Sequence, residues 1–66
     1  MPLLMINGVT QECAADRLAD LLLELSLPAP LMLVELNGKA LHRSEWESVT
    51  LLSGDRLELM KVAAGG

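Results

Sequence analysis

The chain has little of what very small domains use to hold themselves together. Its 66 residues include one cysteine, Cys13, and one histidine, His42. No internal disulfide can form, and no Cys/His cage for a structural metal can be assembled. Phe and Tyr are absent and Trp46 is the only aromatic residue, so the core must be aliphatic. Positive charge is scarce: five Lys and Arg against nine Asp and Glu leave a formal charge of −4 at pH 7. That balance argues against nucleic acid, which calls for a basic footprint, and against anionic membranes. It suits a protein partner with a basic docking groove. No apolar run approaches the ~20 residues that a membrane-spanning helix needs. Met1-Pro2-Leu3-Leu4 lacks the basic stretch that opens a secretory signal, and a free cysteine fits a reducing compartment. The expected location is the cytoplasm.

What is present is aliphatic bulk, with 52% of residues hydrophobic. A chain this short buries only ~60% of its unfolded surface, and that apolar fraction is its compensation. There is room for one core and one domain. Leu3 to Ile6 is a short apolar run ended by Asn7-Gly8, a strong hairpin signal, and Val9 to Cys13 reads as the returning strand. Asp16 is placed to cap a helix N-terminus. Leu18, Leu21, Leu22 and Leu25 then repeat at helical spacing, predicting a helix over about residues 16–26 that Ser26-Leu27-Pro28 closes, since proline cannot continue it. Pro28-Ala29-Pro30 is a stiff connector. Leu31 to Leu36 is a second apolar run ended by Asn37-Gly38, with Lys39 to Leu41 returning. His42 to Ser48 is polar around Trp46 and reads as a loop or one helical turn. Ser53-Gly54-Asp55 is a turn, and Arg56 to Val62 alternates as a last strand.

The order ββ-α-ββ-β gives one amphipathic helix to cover one face of one sheet. This α+β pattern suggests a β-grasp (ubiquitin-like) roll over residues 1–62, in which the first and last strands pair in parallel. Residues 63–66 form a tail ending in Gly65-Gly66. If Met32, Val34, Leu36, Leu57 and Leu59 point toward the helix, with Leu4 and Ile6, alternation assigns Leu3, Met5, Leu33, Glu35, Glu58 and Met60 to the open face. Leu3, Met5, Leu33 and Met60 are then candidate partner-binding residues, since exposed apolar patches often mark protein contacts and methionine adapts to more than one partner. Burial by strand twist or by self-association is the competing reading of the same four.

Six features together resemble the ThiS family, the small sulfur-carrier proteins of thiamine biosynthesis. They are Asn7-Gly8, the helix from Asp16, Asn37-Gly38, Arg43-Ser44-Glu45-Trp46, Gly54-Asp55-Arg56-Leu57-Glu58 and Gly65-Gly66. The resemblance covers the whole length and implies a β-grasp fold. It also implies a carrier rather than an enzyme, with no cofactor bound to the chain itself. Carried over, Gly66 is the site of adenylation and thiocarboxylation, and Gly65 and Ala64 give the tail its access. Ala64 departs from the family, in which a third glycine is common. The implied partners are an E1-like adenylyltransferase that uses ATP with Mg, a thiazole synthase, and a sulfur-delivery protein such as a cysteine desulfurase. The glycines suit that chemistry, because side chains near the carboxylate would obstruct a narrow channel.

Rival readings are a sulfur donor for molybdopterin or a secondary metabolite, a ubiquitin-like protein tag, and a non-covalent protein-interaction module. The remaining reactive residues read as structural. Cys13 is expected to be a small packed strand residue rather than a persulfide acceptor. His42 is expected in a solvent-facing loop rather than as a base, and Trp46 as a plug at the end of the core rather than a partner anchor. Arg43, Glu45, Glu47, Asp55 and Arg56 read as solvated loop charges that contribute little individually.

Overall fold

The computed structural model describes residues 1–62. Five strands form one mixed sheet: β1 (Leu3–Ile6), β2 (Val9–Glu12), β3 (Met32–Leu36), β4 (Lys39–Leu41) and β5 (Arg56–Lys61). Their spatial order is β2-β1-β5-β3-β4. The two hairpins are antiparallel, whereas β1 and β5 run parallel, with Met5 opposite Arg56 and Ile6 opposite Leu57. On its other side β5 pairs antiparallel with β3, from Met32 opposite Lys61 to Leu36 opposite Leu57. The last strand is thus central, as the β-grasp reading expects. Both hairpins turn on Asn-Gly with positive φ at both residues, +50° and +82° at Asn7-Gly8 and +51° and +84° at Asn37-Gly38. These are the values of a type I′ turn, whose twist matches that of the strands it joins.

Helix α1 (Leu18–Glu24) lies on one face of this sheet. Leu18, Leu21 and Leu22 are buried against Leu4, Ile6, Met32, Val34, Leu57 and Leu59, and Cys13, Trp46 and Leu51 complete the core. Trp46 is 5% exposed and follows a 3-10 turn at Arg43–Glu45, so it closes one end of the core as the sequence suggests. Among the described residues no helix is long and apolar enough to cross a membrane.

The helix differs from expectation at both ends. Asp16 does not cap it: the N-cap is Arg17, with no side-chain cap. Carbonyls from elsewhere in the chain satisfy the first-turn donors instead, Leu18 N–H bonding Val49 and Ala19 N–H bonding Trp46. At the other end Ser26 and Leu27 make the closure, without Pro28. Ser26 takes φ +57°, Ser26 N–H bonds the Leu23 carbonyl at 3.0 Å and Leu27 N–H bonds Leu22 at 2.9 Å. This is a Schellman closure with serine where glycine is usual, and the helix has ended before Pro28.

Candidate functional surface

With the helix on one face, the other face of the sheet is open, and strand alternation decides what it displays. Leu4, Ile6, Met32, Val34, Leu57 and Leu59 are buried, while Leu3, Met5, Leu33 and Met60 are 50%, 39%, 55% and 43% exposed. The four candidate residues therefore share the open face, but they do not form one continuous patch. Leu33 lies directly opposite Met60 at the end of β5 nearest residues 63–66, and Met5 lies beside Arg56 at the strand's start. At ~3.3 Å of rise per residue, about 13 Å of strand separates the two pairs. Between them Glu35 and Glu58 face each other across β3 and β5. A shallow depression of about 260 Å³ follows this band, lined by Met5, Glu35, Arg56, Glu58 and the two turn glycines Gly8 and Gly38. The surface is apolar at both ends and charged in the middle.

Like charges directly opposite on neighbouring strands destabilise a sheet. The Glu35–Glu58 pair was not evident from local pattern, because register between β3 and β5 is a tertiary property. Period-two alternation did assign each glutamate to the open face separately.

Several other polar residues are used structurally. Cys13 is buried, and burial, helped by the nearby Glu24 and Glu12 carboxylates, raises its thiol pKa above the ordinary value. A protonated, enclosed thiol is a poor nucleophile. His42 is exposed, yet it shapes the backbone around it. Its Nδ1 accepts from Ser44 N–H at 3.2 Å, while Glu45 Oε1 accepts from His42 N–H at 2.8 Å. This reciprocal capping box sets the turn that leads into Trp46. Asp55 is also more than a solvated charge, accepting from Leu52 N–H at 2.9 Å and from Asn37 Nδ2 at 3.0 Å. Glu24 reaches back to accept from Ala14 and Ala15 N–H. Among the described residues no group of three or more His, Cys, Asp or Glu is placed to hold a metal.

The remaining candidates, Ala64, Gly65 and Gly66, lie outside the described residues. What is described is their approach. Strand β5 carries Met60 on the open face, and Val62 N–H donates to the Leu31 carbonyl at 2.7 Å.

Comparison with known proteins agrees with the fold. No protein of curated function matches the chain. The crystal structure of a thiamine biosynthesis protein (ThiS) from Geobacter metallireducens superposes with a TM-score of 0.83 at 31% identity, covering 97% of this chain and 99% of that one. A solution NMR structure of a thiamine biosynthesis protein from the same organism gives 0.78 at 29% identity, over 97% and 87% of the respective chains. The ThiS family model matches residues 4–66. This chain belongs to the ThiS family, the small sulfur-carrier proteins of thiamine biosynthesis.

Proposed function

We propose that this protein carries sulfur as a thiocarboxylate on Gly66 and delivers it for thiazole formation. The observation that carries the reading is the extent of the family match, which runs through residue 66 and so includes Gly65-Gly66. A carboxylate resists nucleophiles because of its charge and its poor leaving group, so it must first be activated. One Gly66 carboxylate oxygen attacks the α-phosphorus of ATP, pyrophosphate leaves, and an acyl-adenylate forms. Sulfide then attacks the acyl carbon, AMP leaves with the original oxygen, and a thiocarboxylate results; where the sulfur arrives as a delivery protein's persulfide, a thiol must also reduce the S–S bond, leaving as a disulfide. The chain is a substrate in these steps; the activating partner holds the ATP and Mg and performs the catalysis.

The body's part is docking. Residues 63–66, when extended, span about 13–14 Å at ~3.3–3.6 Å per residue, enough to enter a partner's cleft while the sheet rests outside. Ordering that stretch costs ~1–2 kcal/mol per residue, so contacts made by the body must supply affinity. Leu33 on β3 and Met60 on β5 lie at the exit of the last strand and serve that purpose, with Leu3 and Met5 making a separate contact at the other end of the face. The partners are an E1-like adenylyltransferase and, after sulfur loading, a thiazole synthase; the setting is cytoplasmic.

The test is an intact mass after incubation with the activating enzyme, ATP and sulfide. Exchange of one oxygen for one sulfur is expected at Gly66, followed by its transfer to a thiazole synthase. An unchanged mass rejects the carrier reading. Transfer of sulfur only to a non-thiazole acceptor rejects the assignment to thiamine.

A further inference from the structure

Strand β5 joins the docking face to Gly66, and its two edges are held differently. Backbone groups at even positions face β3, as shown by Asn37 N–H on the Arg56 carbonyl at 2.8 Å and Val62 N–H on Leu31 at 2.7 Å. Those at odd positions face β1: the Asp55 carbonyl accepts from Met5 N–H at 3.0 Å, and the Leu57 carbonyl from Asn7 N–H at 2.9 Å. The next odd position is Leu59, but by then β1 has turned away at Gly8. Asn7 makes up the missing residue with its side chain. Its Oδ1 accepts from Leu59 N–H at 2.8 Å and its Nδ2 donates to the Leu59 carbonyl at 3.1 Å. A carboxamide offers the same acceptor and donor as a peptide unit, so it continues the ladder one step past the strand.

Asn37 makes a related contact at the other end of β5, its Oδ1 accepting from Arg56 N–H at 2.9 Å. The turns require a residue that tolerates positive φ, and glycine satisfies that as well as asparagine. The amide of Asn7 therefore has a use beyond the turn.

We propose that Asn7 is a positioning residue for the chemistry at Gly66: its side-chain amide grips Leu59 from the β1 side and fixes the direction in which β5 leaves the sheet. The inference rests on the carrier reading. Without the amide, the end of β5 is tied to the sheet on the β3 side only. The body still docks, but its reactive end is presented in the productive direction for a smaller share of the time.

The Asn7→Gly variant tests this, because it keeps the turn and removes both amide bonds. The measurements are AMP formation by the activating enzyme with ATP, over a range of carrier concentrations, and amide hydrogen exchange of the free chain. In this assay the carrier is the substrate, so a smaller folded fraction lowers its effective concentration and raises apparent KM alone. A loss of positioning lowers kcat at saturating carrier. The expected result is a kcat roughly three- to tenfold lower, on the scale of one or two net hydrogen bonds, with KM unchanged and faster exchange at Leu59. Asn37→Gly, which loosens the start of the same strand, is expected to leave kcat alone. Equal kcat for Asn7→Gly and wild type, or an equal loss in Asn37→Gly, overturns the positioning role and leaves the carrier reading standing. A wild-type chain that the activating enzyme does not adenylate overturns both.

Discussion

At the residue scale, the fold strains the backbone of Ser26 and tightens the hold of Cys13 on its proton. Ser26 closes the helix at φ +57°, a conformation that costs a non-glycine residue ~1–2 kcal/mol. Glycine removes that strain but adds ~0.5–1 kcal/mol of unfolded-state entropy. The Ser26→Gly variant is therefore expected to gain about 0.5 kcal/mol, or about 2–4 °C in Tm by calorimetry. Cys13 has its thiol pKa raised by burial and by Glu24 and Glu12. The folded state thus keeps this proton more tightly than the unfolded chain, whose thiol titrates near pH ~8.5. The resulting stability is fully present below that value and is lost as pH rises through the folded pKa. Thermal melts from about pH 7 to about pH 10 should show this decline in wild type, and Cys13→Ala should flatten it. A slope that persists in the variant would assign the decline to other groups.

At the scale of elements, the open face changes character along β5. The Leu33–Met60 pair lies nearest the strand's exit, whereas Glu35 and Glu58 fill the middle. Replacing both apolar residues by threonine retains β-propensity and touches no buried side chain. The double variant Leu33→Thr/Met60→Thr should keep its unfolding free energy, from urea titration, within about 0.5 kcal/mol of wild type. It should raise KM for the activating enzyme about tenfold, as loss of a central apolar anchor does. Unchanged KM would move the docking contact away from these residues.

Elements were legible where local periodicity was strong. Leu18, Leu21 and Leu22 announced the helix, and Asn7-Gly8 and Asn37-Gly38 announced both hairpins. The helix start was not legible, because Leu18 and Ala19 find their acceptors at Val49 and Trp46 rather than at Asp16. The second use of Asn7 was equally hidden. Its amide meets Leu59, 52 positions away, and nothing beside Asn7 in the sequence signals that meeting.

At the scale of the whole molecule, the proposed chemistry and the core occupy different stretches of the sequence. The buried core runs from Leu4 to Leu59, and the proposed reactive carboxylate lies beyond it at Gly66. Removing Gly66 is expected to leave Tm within about 1 °C of wild type, since glycine has no side chain to pack, while abolishing adenylation. Appending one residue after Gly66 should do the same. If either variant is still adenylated and loaded with sulfur, the carboxylate of Gly66 is not the carrier group.

Local sequence carries the helix and the five strands, their order, the inward and outward faces of β1, β3 and β5, and the Gly65-Gly66 pair. These depend on local periodicity and turn chemistry, which neighbouring residues carry among themselves. Only the tertiary structure decided that Glu35 opposes Glu58, that carbonyls from residues 46 and 49 start the helix, and that Asn7 holds the strand leading to Gly66. Each of those pairings depends on the register of distant segments, and register is set when the two hairpins pack around one helix.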